Sequence, residues 1–215
     1  MNLLRLLQQF DFKNKLLRET SWSFATKAIA FPSFFLLNIY LARQLGPDMW
    51  GTWSYFWSVF STIILFSFFG IRASTKFIAE HNNTPQLYAI LKNSLQLRLI
   101  SGLLLSTLLY FLADPLAQLV QRPAFTDLFR LSALLLFLTS YIEYLKGVFT
   151  GLHRIKYNFI TTGSEFTLKL LFVYLLFQYS ISISSIILAF TLAILLGALI
   201  SSILLYYNFY RNELR

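Results

Sequence analysis

The chain has 215 residues, of which 57% are hydrophobic and only 13% charged, with a formal net charge of +9 and no cysteine. A soluble domain carries roughly a quarter charged residues, so this composition excludes one and points to a polytopic membrane protein. The basic residues stand between apolar runs instead of clustering, which argues against nucleic acid, and the lack of cysteine excludes disulfides, thiol catalysis and cysteine metal sites.

Residues 1–20 set Leu3, Leu4, Leu6, Leu7 and Phe10 against Arg5, Lys13, Lys15 and Arg18. That pattern predicts an amphipathic segment lying on the cytoplasmic interface. The first apolar run, residues 22–41, is long enough to span and starts too late for a cleavable signal peptide. It contains Lys27 and Pro32, and the proline predicts a kink. A polar turn from Leu41 to Asp48 follows, punctuated by Gly46-Pro47, because proline cannot continue a helix and restricts its predecessor. Residues 50–70 carry no charge, and Trp50, Trp53 and Tyr55 crowd one end as an aromatic interface belt would. Arg72 and Lys76 lie just beyond Gly70.

Residues 74–93 are amphipathic, with Thr84-Pro85 placed as an N-cap and first helical proline. The helix runs on into a third span, 95–112, which Asp114-Pro115 ends. A short interfacial piece, 116–126, leads to a fourth span at 128–149. The turn from Gly151 to Lys156 precedes a fifth span at 159–179, and an uncharged Ser180-Ile181-Ser182 link leads to a sixth at 183–207. The last span carries Ser185, Ala189, Ala193, Gly197 and Ser201, and Gly147 and Gly151 repeat the four-residue spacing. Small residues so spaced let neighbouring helices approach closely, which is a packing device.

The expected fold is therefore all-α: an interfacial segment at 1–20, a six-helix transmembrane bundle at 21–207 and a cytoplasmic tail at 208–215. Charge bias orients it. Arg5, Lys13, Lys15, Arg18, Arg72, Lys76, Lys92, Arg154, Lys156, Arg211 and Arg215 fall on one side, against Arg43, Arg122 and Arg130 on the other. Both termini are thus expected in the cytoplasm.

An ionisable group inside a span is costly unless paired or facing water, so each is a candidate functional residue. Five are expected there: Lys27, Glu143, Lys146, Glu165 and Lys169. Glu143 and Lys146 are three apart, Glu165 and Lys169 four apart, and both spacings put the partners on one helical face. The topology places all five in the cytoplasmic half of the bilayer, with three lysines against two glutamates. Either the two pairs are structural bridges and Lys27 snorkels to the interface, or the layer lines a water-filled cavity for an anionic headgroup. His81 and His153 stand isolated in loops. No catalytic or metal-ligand spacing occurs, so neither an enzyme nor a cofactor site is expected.

The stretch Leu41-Ala-Arg-Gln-Leu-Gly-Pro-Asp-Met-Trp-Gly51, the aromatic span, then Phe69-Gly70-Ile71 and Lys76-Phe-Ile-Ala-Glu80 resembles the start of polysaccharide-biosynthesis flippases. These belong to the multidrug/oligosaccharidyl-lipid/polysaccharide exporter superfamily. Lys146-Gly-Val-Phe-Thr-Gly-Leu-His-Arg154 is similar to the turn such proteins carry after their fourth span. The resemblance covers residues 21–207. It implies translocation of a polyprenyl-diphosphate-linked oligosaccharide (an O-antigen, capsule or exopolysaccharide unit) across a prokaryotic inner membrane. It also implies two six-helix lobes around a cationic cavity. Basic residues in the first span of each lobe are suspected headgroup ligands in that family, and Lys27 occupies such a place, with Lys146 and Lys169 as secondary candidates. Arg72, Lys76, Arg154 and Lys156 would recruit the headgroup at the cytoplasmic mouth or anchor the loops.

Members of the family are roughly twice as long, so the chain corresponds to the first lobe. The expected partner is a second six-helix lobe: the chain's own missing half, a separate chain, or a second copy in a homodimer. Two alternatives stand beside this reading. A cation-coupled drug exporter of the same superfamily needs a carboxylate to hold the cation, and Glu143 and Glu165 each have a lysine neighbour. A non-transporting scaffold for glycan assembly would need none of the intramembrane charges.

Overall fold

A computed structural model of the chain describes residues 3–82 and 84–207, with side chains from residue 17 onward. The side-chain pattern expected of the first sixteen residues and the expected tail at 208–215 lie outside the described residues. Among the described residues there are seven helices: α1 Leu3–Ser67, α2 Ile71–Glu80, α3 Leu87–Phe111, α4 Ala113–Leu119, α5 Phe125–Gly151, α6 Ile155–Phe177 and α7 Ile183–Leu205. Five stretches among the described residues are long and apolar enough to cross a membrane: Leu17–Glu80 and helices α3, α5, α6 and α7.

Six spans were expected and five stretches are found, and the difference lies in α1. Straight, its 65 residues would reach about 100 Å, some three times the hydrocarbon thickness of a bilayer. It is not straight. Gly46 has φ 71° and ψ 175°, the one non-helical conformation along it. That region is essentially closed to residues with a Cβ, and Pro47, lacking an N–H to satisfy, restarts the helix at once. The expected eight-residue turn is thus compressed into one residue, leaving two arms, 3–45 and 47–67. Pro32, in contrast, sits inside the first arm without breaking its helical dihedrals. Residues 3–20 are helical and join the apolar stretch without interruption.

Contacts fix the direction of each element. Trp22 rests on Phe159 at 5.2 Å and Tyr40 on Phe177 at 6.1 Å, so the first arm runs parallel to α6. Phe56 meets Phe125 and Phe129, and further on Gly147 and Gly151 face Thr75 and Ile78, so the second arm and α2 run parallel to α5. The Lys146–Glu165 ion pair and the Asn158–Thr150 hydrogen bond together set α5 antiparallel to α6. The two arms therefore run in opposite senses, and the chain reverses at Gly46. Helix α3 pairs Ser94 with Tyr144 and Ser106 with Ala133, antiparallel to α5. Helix α7 pairs Ser201 with Thr161 and sets Gly197 beside Glu165, antiparallel to α6.

Helix α5 touches all six other helices and is the axis of the bundle. Around it an aromatic lattice fills the end where the arms reverse: Phe56 stacks on Phe60 and meets Phe125 and Phe129, while Trp53 and Trp57 both turn an edge or face to Phe190 of α7. Ring pairs in such tilted and edge-on arrangements add to the packing that holds apolar helices together. Trp53 is 3% exposed, so it is core and not part of the interface belt expected from its neighbours. Tyr55 keeps the interfacial character, half out and with its hydroxyl on the Val120 carbonyl.

Two helix boundaries also differ from expectation. The residue preceding α3 is Gln86, and the Thr84 hydroxyl turns back to the His81 carbonyl, so Thr84-Pro85 forms a turn one step before the helix instead of its cap. Asp114 and Pro115 lie in the opening of α4, after α3 has already ended at Phe111. Ser182, by contrast, caps α7 with its side chain accepting from the Ser185 N–H.

Candidate functional site

Four of the five expected intramembrane charges come together on α5 and α6. Glu143 and Lys146 share a face of α5 by their three-residue spacing; Glu165 and Lys169 share a face of α6 by their four-residue spacing. The antiparallel packing of the two helices then joins what the spacing alone left as separate pairs. Lys146 Nζ lies 2.7 Å from Glu143 Oε1 and 2.8 Å from Glu165 Oε2, and Lys169 Nζ reaches the other oxygen, Glu165 Oε1, at 2.5 Å. The result is one alternating chain, Glu143–Lys146–Glu165–Lys169, with no net charge. All but Glu143 are largely buried: the Glu165 side chain is 9% exposed, that of Lys169 12% and that of Lys146 19%. Lys169 also sits over the rings of Phe166 and Phe190 at 5.4 and 5.3 Å, where the ring faces attract it further.

Chemically this arrangement favours the lysines as donors and leaves the carboxylates little to offer. Both oxygens of Glu165 are already engaged, whereas each ammonium has three donors, of which Lys146 spends two and Lys169 one on these carboxylates. Gly197 of α7 packs beside Glu165, and a Cβ there would meet Ile142 of α5 at 3.3 Å and the Glu165 backbone at an ordinary 3.9 Å.

Lys27 is elsewhere on the same level. The register set by Trp22–Phe159 and Tyr40–Phe177 places it beside residues 164–165 of α6. It is exposed, and among the described residues no hydrogen bond or ion pair engages it. Arg72 is exposed in the first turn of α2, away from the four-charge chain, and Lys76 next to it pairs with Glu80 at 3.6 Å. The structure thus gathers Glu143, Lys146, Glu165 and Lys169, and separates Lys27 and Arg72 from them. Among the described residues there is no cluster of side chains able to hold a metal ion.

Residues 16–214 match the family described as polysaccharide biosynthesis protein. The chain belongs to that family. No curated protein and no solved structure matches it. For a polysaccharide biosynthesis protein built of apolar helices, the setting of these charges is a multi-pass membrane bundle.

Two groups of this family member escaped the sequence. Arg98 lies within the expected third span and was not counted among the intramembrane charges; it is 6% exposed. Its Nε donates to the Ser140 carbonyl at 3.0 Å and its Nη1 to the Phe69 carbonyl at 3.4 Å, while Nη2 is buried with no partner. A lone arginine opening a leucine-rich run was the signal. His153 is the second. It is not isolated: its Nδ1 stands 3.6 Å from Glu19 Oε2, tying the loop after α5 to the first arm.

Proposed function

We propose that the chain is the N-terminal lobe of a flippase that carries a polyprenyl-diphosphate-linked oligosaccharide from the cytoplasmic to the outer leaflet of a prokaryotic inner membrane. In this reading each arm of α1 crosses the bilayer, six crossings in all, and both termini are cytoplasmic. The observation that carries it, alongside family membership, is Lys27: an exposed ammonium with no partner among the described residues, level with the Glu143–Lys169 chain on the α1 face that bears Phe24, Phe31 and Phe35 outward. A cation on an apolar exposed face suits a cavity shared with a second six-helix lobe, where a diphosphate would be its counter-charge. Lys146 and Lys169 retain donors for the same headgroup once it enters, and Arg72 stands at the mouth. Cation-coupled export is the weaker reading, because both oxygens of Glu165 are taken by lysines and Glu143 is bonded to one.

The test is complementation of surface glycan in a strain lacking the gene, with the protein carrying Lys27→Ala or Lys27→Arg. Alanine should abolish glycan display at normal protein levels, and arginine should retain most of it. Full display with alanine rejects the headgroup role.

A further inference from the structure

We propose that helix α3 carries a bound anionic phospholipid, its phosphate held by Arg98 and the amino terminus of α2 and one acyl chain laid along the groove that continues down α3. This site is separate from Lys27 and from the Glu143–Lys146–Glu165–Lys169 chain and does not depend on the transport reading.

The phosphate end is a small crevice of about 30 Å³ lined by Phe69, Gly70, Ser74, Ser94, Arg98 and Tyr144, among others. Arg98 brings its guanidinium there, and among the described residues no carboxylate lies within ion-pair distance of it. Two of its donors go to carbonyls and Nη2 is buried with nothing to receive it; the Ser140 hydroxyl beside it is also buried without a partner. A buried guanidinium with a spare donor needs an acceptor, and an anionic one repays far more than a neutral one. Gly70, at φ 82°, turns the chain so that α2 begins at this crevice with no side chain capping it, which adds the positive end of a helix dipole. The crevice has room for about one oxygen atom, so a phosphate would insert one oxygen and keep the rest of the group at the mouth.

What lies at the mouth selects a lipid over a free ion. Phe69 and Leu97 frame it and are 74% and 66% exposed. One turn beyond Leu97 begins a groove of about 530 Å³ lined by Ile100, Leu104, Leu108 and Phe111, at helical spacing along one face of α3. It is almost wholly apolar and extends over about 17 Å of helix, away from the charge and toward the opposite end of the bundle. Charge at one end and an apolar trough leading from it match a phosphate with its acyl chain. Inorganic phosphate would use only the first.

Heat-unfolding midpoints of the purified, delipidated chain in neutral detergent test this. The probes are dioleoylphosphatidylglycerol, dioleoylphosphatidylcholine and inorganic phosphate, applied to the wild type, Arg98→Gln and Ser74→Asp. The aspartate puts a carboxylate in the first turn of α2, where it favours the helix and occupies the crevice itself. It keeps the test decisive if Arg98→Gln does not fold. The wild-type midpoint should rise with phosphatidylglycerol beyond the response to phosphatidylcholine. Both variants should lose that excess, with affinity about 10- to 100-fold weaker. Equal responses to the two lipids in the wild type, or an undiminished excess in the variants, would overturn the site. A gain from inorganic phosphate equal to that from phosphatidylglycerol would overturn the lipid.

Discussion

Glu165 holds the four-charge chain together, because it alone bonds both lysines, one through each oxygen. Removing one partner of a buried ion pair costs about 3–5 kcal/mol, since a charge is left uncompensated. Glu165→Gln leaves Lys169 without a carboxylate among the described residues, so a loss in that range is expected. Glu143→Gln should cost about 1 kcal/mol or less, because Glu143 is 34% exposed and Lys146 keeps Glu165. Heat or denaturant unfolding of the two variants in the same detergent decides it, and equal losses would mean the chain is not a connected unit. The pairing within each helix was legible in the sequence, since spacings of three and four residues put partners on one face. The bridge from Lys146 to Glu165 was not, because helical spacing says nothing about which face a neighbouring helix presents. Arg98 was hidden for a related reason. Its acceptors are carbonyls of Ser140 and Phe69, far away in the chain, and carbonyls leave no trace in side-chain pattern.

Among the elements, the contact between α2 and α5 is the most sharply specified. A Cβ at Gly151 would sit 2.8 Å from the Thr75 carbonyl oxygen and 2.8 Å from Ile78 Cγ2, and the first of these is backbone that cannot swing aside. Gly151→Ala should therefore cost about 1–3 kcal/mol by pushing α2 off α5. Gly163, inside α6 with nothing within 4 Å of its Cβ position, is the control: alanine there should be neutral or add up to about 1 kcal/mol through helix propensity. Unfolding midpoints of the two variants should move in opposite directions, or Gly151 alone should fall; a harmless Gly151→Ala would show that α2 does not pack so tightly. The four-residue spacing of Gly147 and Gly151 announced a close approach, and so did the stripe from Ser185 to Ser201, which is buried along its whole length. In neither case did the spacing name the partner. For Gly151 it is α2, a short helix whose own residues read as an amphipathic stretch beyond the membrane. The reversal at Gly46 was half legible: Gly-Pro marks a stop, but only the dihedral angle tells that one residue suffices.

For the whole molecule, the decisive question is whether the two arms of α1 are two crossings, because every later segment inherits its side from that answer. The described contacts group the connections at two ends of the bundle. Gly46 and the α3–α5 and α6–α7 links lie at one end; α2, the α2–α3 turn and the α5–α6 turn lie at the other. The basic residues of the loops favour the second end, with Arg72, Lys76, Arg154 and Lys156 there against Arg43 and Arg122 at the first, which predicts that the second end faces the cytoplasm. The chain has no cysteine, so single cysteines report without background. Asp48, Ala124, Ser180, Thr84 and Lys156 are all exposed and suit the substitution. In intact cells a membrane-impermeant maleimide should label Asp48→Cys, Ala124→Cys and Ser180→Cys, and should label Thr84→Cys and Lys156→Cys only after the membrane is opened. Inverted labelling would reverse the orientation and put Lys27 near the outer face, where it could not load a cytoplasmic headgroup. Labelling of Asp48→Cys and Thr84→Cys from the same side would be worse for the proposal, since the second arm would then not cross, the chain would make one crossing fewer, and a second lobe could not follow it in the same orientation.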